Sequence, residues 1–229
     1  MKAVLLLAIL VSACSGEAIV VHQSAVERGA RLFEMNVSGV SCATCHATGV
    51  TTSDSRLLPG APLAGVTMRS SYWGGQEKDL LRAVNNCRAA FQIANIPLAA
   101  SDADAADLYA YLDSLPGGSK PIAFTVVMSV SDLAEGDAVH GRKVFSAACA
   151  TCHGDPSSGR GRIDDEVPVL PGEVLEEHRQ FTTEDRRVIF VEKVRHGGFL
   201  GYGGHMPPFS VEVLSDEHLS DLLAALSLY

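Results

Sequence analysis

The chain has 229 residues, of which 47% are hydrophobic and 20% charged, a balance typical of a globular protein rather than a disordered, fibrous or multi-span membrane protein. Its formal net charge of -9 excludes nucleic acid as the expected partner, because binding to a phosphate backbone requires a basic surface. The spacing of the six cysteines therefore carries most of the information about function.

The amino terminus has the pattern of an export signal. Lys2 is followed by nine apolar residues, 3–11, too few for a bilayer core that needs about 20 residues in a helix. We therefore expect residues 1–13 to be a secretory signal peptide. The small residues before Cys14 resemble a bacterial lipobox, which implies diacylation of Cys14, and Ser15 resembles the class sorted to the outer membrane. An ordinary signal peptide followed by a chance cysteine is the alternative.

The first unit of the exported chain begins with a helix predicted over residues 25–35, where Gly29 and Phe33 stand four positions apart. The pentapeptide C-A-T-C-H follows at residues 42–46. Phe33 stands nine residues before this pentapeptide, so the chain takes a long path between the helix and the motif.

The rest of the first half contains two more predicted helices and a linker. One helix is predicted over residues 76–87 and ends at Cys87. A closing helix begins at a Ser-Asp pair, residues 101–102, where the serine hydroxyl is expected to accept hydrogen bonds from amides of the first turn. Proline and glycine residues then mark a linker over residues 119–134, in which residues 122–126 alternate like a short strand.

The second half repeats this order. A helix predicted over residues 138–147 has Gly141 and Phe145 at the same spacing, and C-A-T-C-H recurs at residues 149–153. Here the phenylalanine stands only four residues before the motif. The duplication indicates two units of the same kind.

The second unit ends with a helix, a loop and another helix. The first of these helices is predicted over residues 183–196 and stops at Gly197. A glycine-rich loop then leads to Met206, which is followed by two prolines. The closing helix begins at a Ser-Asp pair, residues 215–216, like the closing helix of the first unit.

The repeated pentapeptide has a specific chemistry. Two thiols three positions apart and an adjacent imidazole form the attachment sequence of c-type haem, with two thioether bonds and the histidine as an iron ligand. A thioredoxin-like redox pair and half of a zinc site are alternatives, but neither needs the histidine in both copies. The sequence therefore predicts two covalent haem c groups. The predicted thioether residues are Cys42, Cys45, Cys149 and Cys152, and the predicted iron ligands are His46 and His153.

The pattern around both motifs resembles the class I cytochrome c family over nearly all of residues 25–229. The resemblance implies a mostly α fold, with two tandem cytochrome c domains joined by a short extended linker. The expected boundaries are residues 1–13 for the signal peptide, 14–118 for the first domain, 119–134 for the linker and 135–229 for the second domain.

The second iron ligand of the second unit is expected to be Met206, because a methionine followed by proline on this loop resembles the distal-ligand segment of class I cytochromes. A thioether ligand stabilises ferrous iron and raises the reduction potential. The alternative is that Met206 only packs in the core while His205 or His196 binds the iron.

The first unit has no methionine at the matching place. An offset of 110 residues sets Ile96 opposite Met206 and Cys87 opposite Gly197, so we expect Cys87 to be the second iron ligand. Residues 73–88 resemble the diheme thiosulfate dehydrogenases and the haem-thiolate subunit of the sulfur-oxidising system, in which one haem has histidine and cysteine ligands. Alternatives that remain open are Met68, His22, an open ligand position and an inert buried thiol.

These features predict electron transfer outside the cytoplasm, from a low-potential first haem to a high-potential second haem and on to a c-type cytochrome, oxidase or dehydrogenase. An enzyme that oxidises thiosulfate-type compounds at the first haem is one alternative, and a haem subunit of a respiratory complex is another. The second unit has 10 basic and 17 acidic side chains from residue 119 onward, against 7 and 10 in residues 14–118. We therefore expect the second unit to steer a basic redox partner.

Overall fold

A computed structural model describes residues 23–49, 55–92, 94–117, 123–125, 133–197 and 206–228. The predicted signal peptide and Cys14 lie outside the described residues. The described residues form α-helices and short 3-10 turns, with isolated bridges but no strand, so the mostly α prediction is confirmed.

The helices fall into two sets along the chain. The first half contains α1 (Ala25–Glu34), α2 (Cys42–Cys45), α3 (Leu80–Phe91) and α4 (Ala103–Ser114), with 3-10 turns at Val66–Met68 and Trp73–Gly75. The second half contains α5 (Ala138–Ala148), α6 (Ala150–His153), α7 (Gly172–Glu177), α8 (Thr183–His196) and α9 (Asp216–Ala225). The bounds of α8 agree with the predicted helix over residues 183–196.

The first and last helices of each half cross at a glycine. A Cβ atom on Gly29 in α1 would lie 2.0 Å from the carbonyl oxygen of Asp107 in α4, and one on Gly141 in α5 would lie 1.9 Å from that of Asp221 in α9. Only glycine permits such a close approach of two helix backbones. The two glycines identified in the sequence therefore determine how each half is assembled.

A buried carboxylate completes each crossing. Asp107 accepts two hydrogen bonds of 2.6 Å from the Arg28 guanidinium, which holds the pKa of Asp107 below its usual value. Asp221 accepts hydrogen bonds of 2.6 Å from the Asp137 amide and from Nδ1 of His140. Both carboxylates are therefore hydrogen-bonded, as buried charges must be, but the donating side chain differs between the halves.

The helix that carries Cys87 begins later and runs further than predicted. The carboxylate of Glu77 accepts from the amides of Lys78 and Asp79, and Asp79 then caps α3 by accepting from the Arg82 amide. These bonds place the start of α3 at Leu80 rather than at residue 76. The helix continues to Phe91, so Cys87 lies inside it and not at its end.

Two other predictions of local structure are wrong. The residue that precedes α4 is Asp102 rather than Ser101, and its carboxylate accepts from the Ala99 amide at 2.7 Å instead of from the first turn. In the predicted linker, residues 123–125 form no strand. Thr125 instead donates to Glu212 and accepts from the Val211 amide, so this part of the linker is bound to the second half.

The long path between α1 and the first motif contains a tight turn that meets the second half. Val37 and Val40 exchange two backbone hydrogen bonds around Ser38 and Gly39, which have φ values of 51° and 84°. Two consecutive positive φ values are typical of the turn that closes a two-residue hairpin. A Cβ atom on Gly39 would lie 2.9 Å from the side chain of Ile163, so the extra residues of the first half form a contact between the halves.

No helix among the described residues combines the length and the apolar character that a membrane crossing requires.

We predict that Gly141→Ala lowers the free energy of unfolding by about 3 kcal/mol, because its methyl group would collide with the Asp221 carbonyl oxygen. Chemical denaturation of the full-length protein measures the change. Gly172→Ala is the matched control, since nothing lies within 4 Å of its new Cβ atom, and it should change stability by no more than about 0.5 kcal/mol. If the two variants were equally stable, the close approach of α5 and α9 at Gly141 would be contradicted.

Candidate haem sites

Each cysteine motif forms a short helix placed by the helix before it. In the second half, the Cys149 amide donates to the Phe145 carbonyl at 2.8 Å, which continues the direction of α5 into the motif. In the first half, Ser41 and Thr44 cap α2 by reciprocal hydrogen bonds. Phe33 and Phe145, the two phenylalanines singled out in the sequence, are buried beneath these segments. The same frame therefore presents both motifs.

The two motif histidines are held in the same way. Nδ1 of His46 lies 2.8 Å from the Ala61 carbonyl oxygen, and Nδ1 of His153 lies 2.9 Å from that of Pro168, 15 residues further along the chain in both cases. A carbonyl oxygen only accepts, so the proton is on Nδ1 and the lone pair is on Nε2. Burial also lowers the pKa of both imidazoles, which favours the neutral form that binds metal.

The four motif thiols lie in apolar surroundings. Burial raises the pKa of Cys45 and of Cys149 to about 12, and it also raises the pKa of Cys42 and Cys152. Cys152 of the second motif adds to the rise at Cys45, which means that the two motifs approach each other across the boundary between the halves. None of the four is in a disulfide.

A cavity joins the predicted iron ligands of the second half. It is lined by His153 and Met206 together with both motif cysteines of that half. Met206 is partly buried and packs against the core of the second half. The structure thus brings together four residues that the sequence assigns to one haem. His196 does not line this cavity and its Nδ1 lies 2.5 Å from Glu192, while His205 is outside the described residues.

Cys87 lies beside the first motif. Burial, together with the neighbouring Cys42 and Cys45 thiols, raises the pKa of its thiol to about 12. The next residue, Arg88, is close enough to Cys42 for its charge to lower the pKa of that thiol. The structure therefore brings Cys87 to the motif from a distant part of the sequence.

The helices that precede the two ligand segments make corresponding contacts. Asn85 in α3 donates to the Leu98 carbonyl at 2.9 Å and accepts from the Leu98 amide at 2.8 Å. Arg195 in α8, 110 positions later, donates to the Phe209 and Leu214 carbonyls. Each side chain ties the following loop to its helix, which supports the offset that sets Cys87 opposite Gly197.

The two halves differ at the Gly197 position. Gly197 has φ 76° and ends α8, and a Cβ atom there would lie 2.2 Å from the Met206 carbonyl oxygen. In the second half, the backbone of Met206 therefore occupies the space next to this position. In the first half a side chain stands at the aligned position, and the aligned loop residue Ile96 is 80% exposed.

The other candidate for the first site is poorly placed. Met68 lies in a 3-10 turn and is 76% exposed, so its thioether faces solvent. His22 is outside the described residues.

Sequence reasoning missed the residues that orient His46. Gly60 donates its amide to the Cys45 carbonyl at 2.8 Å, and a Cβ atom on Gly60 would lie 2.5 Å from the His46 ring. The carbonyl oxygen of Ala61 then accepts a hydrogen bond from Nδ1 of that ring. The equal spacing of 15 residues from histidine to acceptor, with a proline at or next to the acceptor in both halves, is a signal that would have identified both carbonyls.

The residues present fit a covalent haem in each half. Each half offers two thiols in the spacing for thioether bonds and a neutral imidazole with its Nε2 lone pair available. A sulfur side chain also lies near each motif, Cys87 in the first half and Met206 in the second.

Comparison with known families agrees with this chemistry. Residues 26–116 match the cytochrome c family, and residues 136–224 match the family described as cytochrome c oxidase, cbb3-type, subunit III. No curated protein matches the chain. Neither family description mentions sulfur compounds, so the resemblance of the first unit to thiosulfate-oxidising cytochromes stays a prediction from sequence.

We predict that Gly60→Ala weakens the low-spin EPR signal of the first haem, because the added methyl group would push the His46 ring away from its carbonyl partner. The signal of the second haem should be unchanged. Gly49→Ala in the same loop is the matched control, since nothing lies within 4 Å of its Cβ atom. A spectrum of Gly60→Ala that equals the control spectrum would contradict the assigned role.

Proposed function

Because the chain belongs to the c-type cytochromes, as a tandem of two class I cytochrome c domains, we propose that it transfers electrons outside the cytoplasm. Haem c, when bound, supplies an iron that gains and loses one electron. The observation that carries the proposal is the repeated arrangement of the motif histidines, each of which donates a hydrogen bond from Nδ1 to a backbone carbonyl and is therefore oriented for iron through Nε2.

Each domain holds one haem through four side chains. In the first domain, Cys42 and Cys45 form the thioethers, and His46 and Cys87 bind the iron. In the second domain, the same roles belong to Cys149 and Cys152, and to His153 and Met206.

The unequal ligands set a direction for the electrons. A thiolate ligand stabilises ferric iron and lowers the reduction potential, whereas the Met206 thioether stabilises ferrous iron and raises it. Electrons therefore enter at the first domain and leave from the second. The apolar lining of the cavity beside Met206 also raises the reduction potential of the second haem, because exclusion of water disfavours the more highly charged ferric state.

The cell envelope is the proposed location. The export pattern of residues 1–13 and the lipobox-like position of Cys14 support a lipid anchor on the periplasmic side of a bacterial membrane, with the outer membrane favoured by Ser15. The acidic second domain would then attract a basic redox protein as the electron acceptor.

A second candidate function has one specific observation in its favour. The family that residues 136–224 match is described as a subunit of an oxidase, which supports a haem subunit within a membrane complex. Affinity purification of the full chain from solubilised membranes separates the two: we expect it to elute without an oxidase. Stoichiometric recovery of oxidase subunits would instead favour the complex.

We predict that low-temperature EPR of the oxidised protein shows the narrow g spread of a histidine and thiolate haem. Cys87→Ala should lose this signal and keep the weak red absorption band of a methionine-bound ferric haem. Met206→Ala should do the opposite. Redox titration should give two separate midpoints, the lower of which belongs to the first domain.

A Cys87→Ala spectrum identical to that of the native protein would show that Cys87 is not a ligand. Two indistinguishable midpoints would contradict the proposed direction of electron transfer.

A further inference from the structure

A short loop of the first domain reaches into the haem cavity of the second. Residues 57–59 line the same cavity as His153 and Met206. Thr44 and Cys45 of the first motif also line this cavity. The wall around the second site is therefore built by both domains.

Leu57 makes the most direct contact. Its amide donates to the Ala147 carbonyl at 3.0 Å, two residues before Cys149. Its side chain packs against the core of the second domain, although the residue belongs to the first. The next residue, Leu58, is only 8% exposed and also lines the cavity.

The other end of the same loop belongs to the first site. Gly60 donates to the Cys45 carbonyl and leaves room for the His46 ring, and Ala61 accepts the proton of that ring. Residues 57–61 thus span the two sites in five positions. We call these residues the bridging segment.

We propose that the bridging segment is a positioning element for the second haem supplied by the first domain, with Leu57 as the residue that keeps water away from it. This proposal rests on the function proposed above. An apolar wall raises the reduction potential of the enclosed haem, since water stabilises the ferric state, which has one more positive charge than the ferrous state. The second domain by itself leaves that part of the wall unbuilt.

Leu57→Ala in the full-length protein tests the proposal. The midpoint potential of the second haem should fall, because replacing the isobutyl group by a methyl group opens the cavity to solvent. Redox titration followed by EPR measures this, with each midpoint assigned to its site from the spectra of Cys87→Ala and Met206→Ala. Leu57→Met, which keeps an apolar side chain of similar volume, should restore the native midpoint.

Leu112→Ala is the matched control. It makes the same truncation in the buried core of the first domain, on α4 and outside the bridging segment. We expect it to lower stability but to leave the second midpoint at its native value. Haem content and the far-UV circular dichroism spectrum of each variant establish that it is folded.

The outcomes separate this proposal from the proposed function. If folded Leu57→Ala keeps the native midpoint potential of the second haem, the proposal is wrong. It is also wrong if Leu112→Ala shifts that midpoint potential by the same amount as Leu57→Ala. Loss of the native midpoint in Leu57→Met as well as in Leu57→Ala would show that apolar volume is not the cause. A native protein without two haem midpoints would contradict electron transfer between two haems, and that result is visible before any variant is made.

Discussion

Each half of the molecule depends on one close crossing of two helix backbones. At Gly29 and at Gly141, the absence of a side chain lets a carbonyl oxygen of the last helix approach the first helix. Because the first helix leads toward the cysteine motif, the crossing also decides where the thiols lie. The crossed helices place the cysteine motif with its histidine and the carbonyl partner of that histidine. The differences between the halves lie in the loops.

The two halves differ in how much apolar core they make for themselves. The first domain buries a small cluster consisting of Phe33, Leu63, Val66, Leu108 and Leu112. The second buries a much larger cluster, built mainly from α5, α8 and α9, and Leu57 of the first domain packs against it. Among the described residues, the first domain therefore has the smaller apolar core, and part of its own apolar surface stabilises its neighbour.

Most of the frame was predictable from sequence because glycine, phenylalanine and the cysteine motif recur at informative spacings. The helix over residues 183–196 was predicted correctly since Thr182 caps its start and Gly197 ends it. The start of α3 was not, because its limit comes from hydrogen bonds of Glu77 and Asp79 in a local turn. The predicted strand in the linker failed because Thr125 is bound by Glu212, 87 residues away, a contact that no local pattern reports.

For the haem sites, the chemistry of the cysteine motif predicted which types of residue bind the haem. The surroundings of these residues come from tertiary contacts. The spacing of C-A-T-C-H identified the thiols and the imidazoles without knowledge of the fold. The bridging segment lines the second site and orients His46 of the first site. This double role depends on how the two domains meet, and a single sequence carries no periodic signal for such a contact.

The turn at residues 37–40 has a consequence for assembly. It meets Ile163 on a surface unlike its own, so the contact between the domains is heterologous, the kind that can repeat from one copy to the next and build an open filament. The second domain has only three residues between Phe145 and Cys149 and therefore has no room for an equivalent turn. The contact that this turn makes therefore runs from the first domain to the second, and the second domain has no equivalent turn with which to return it.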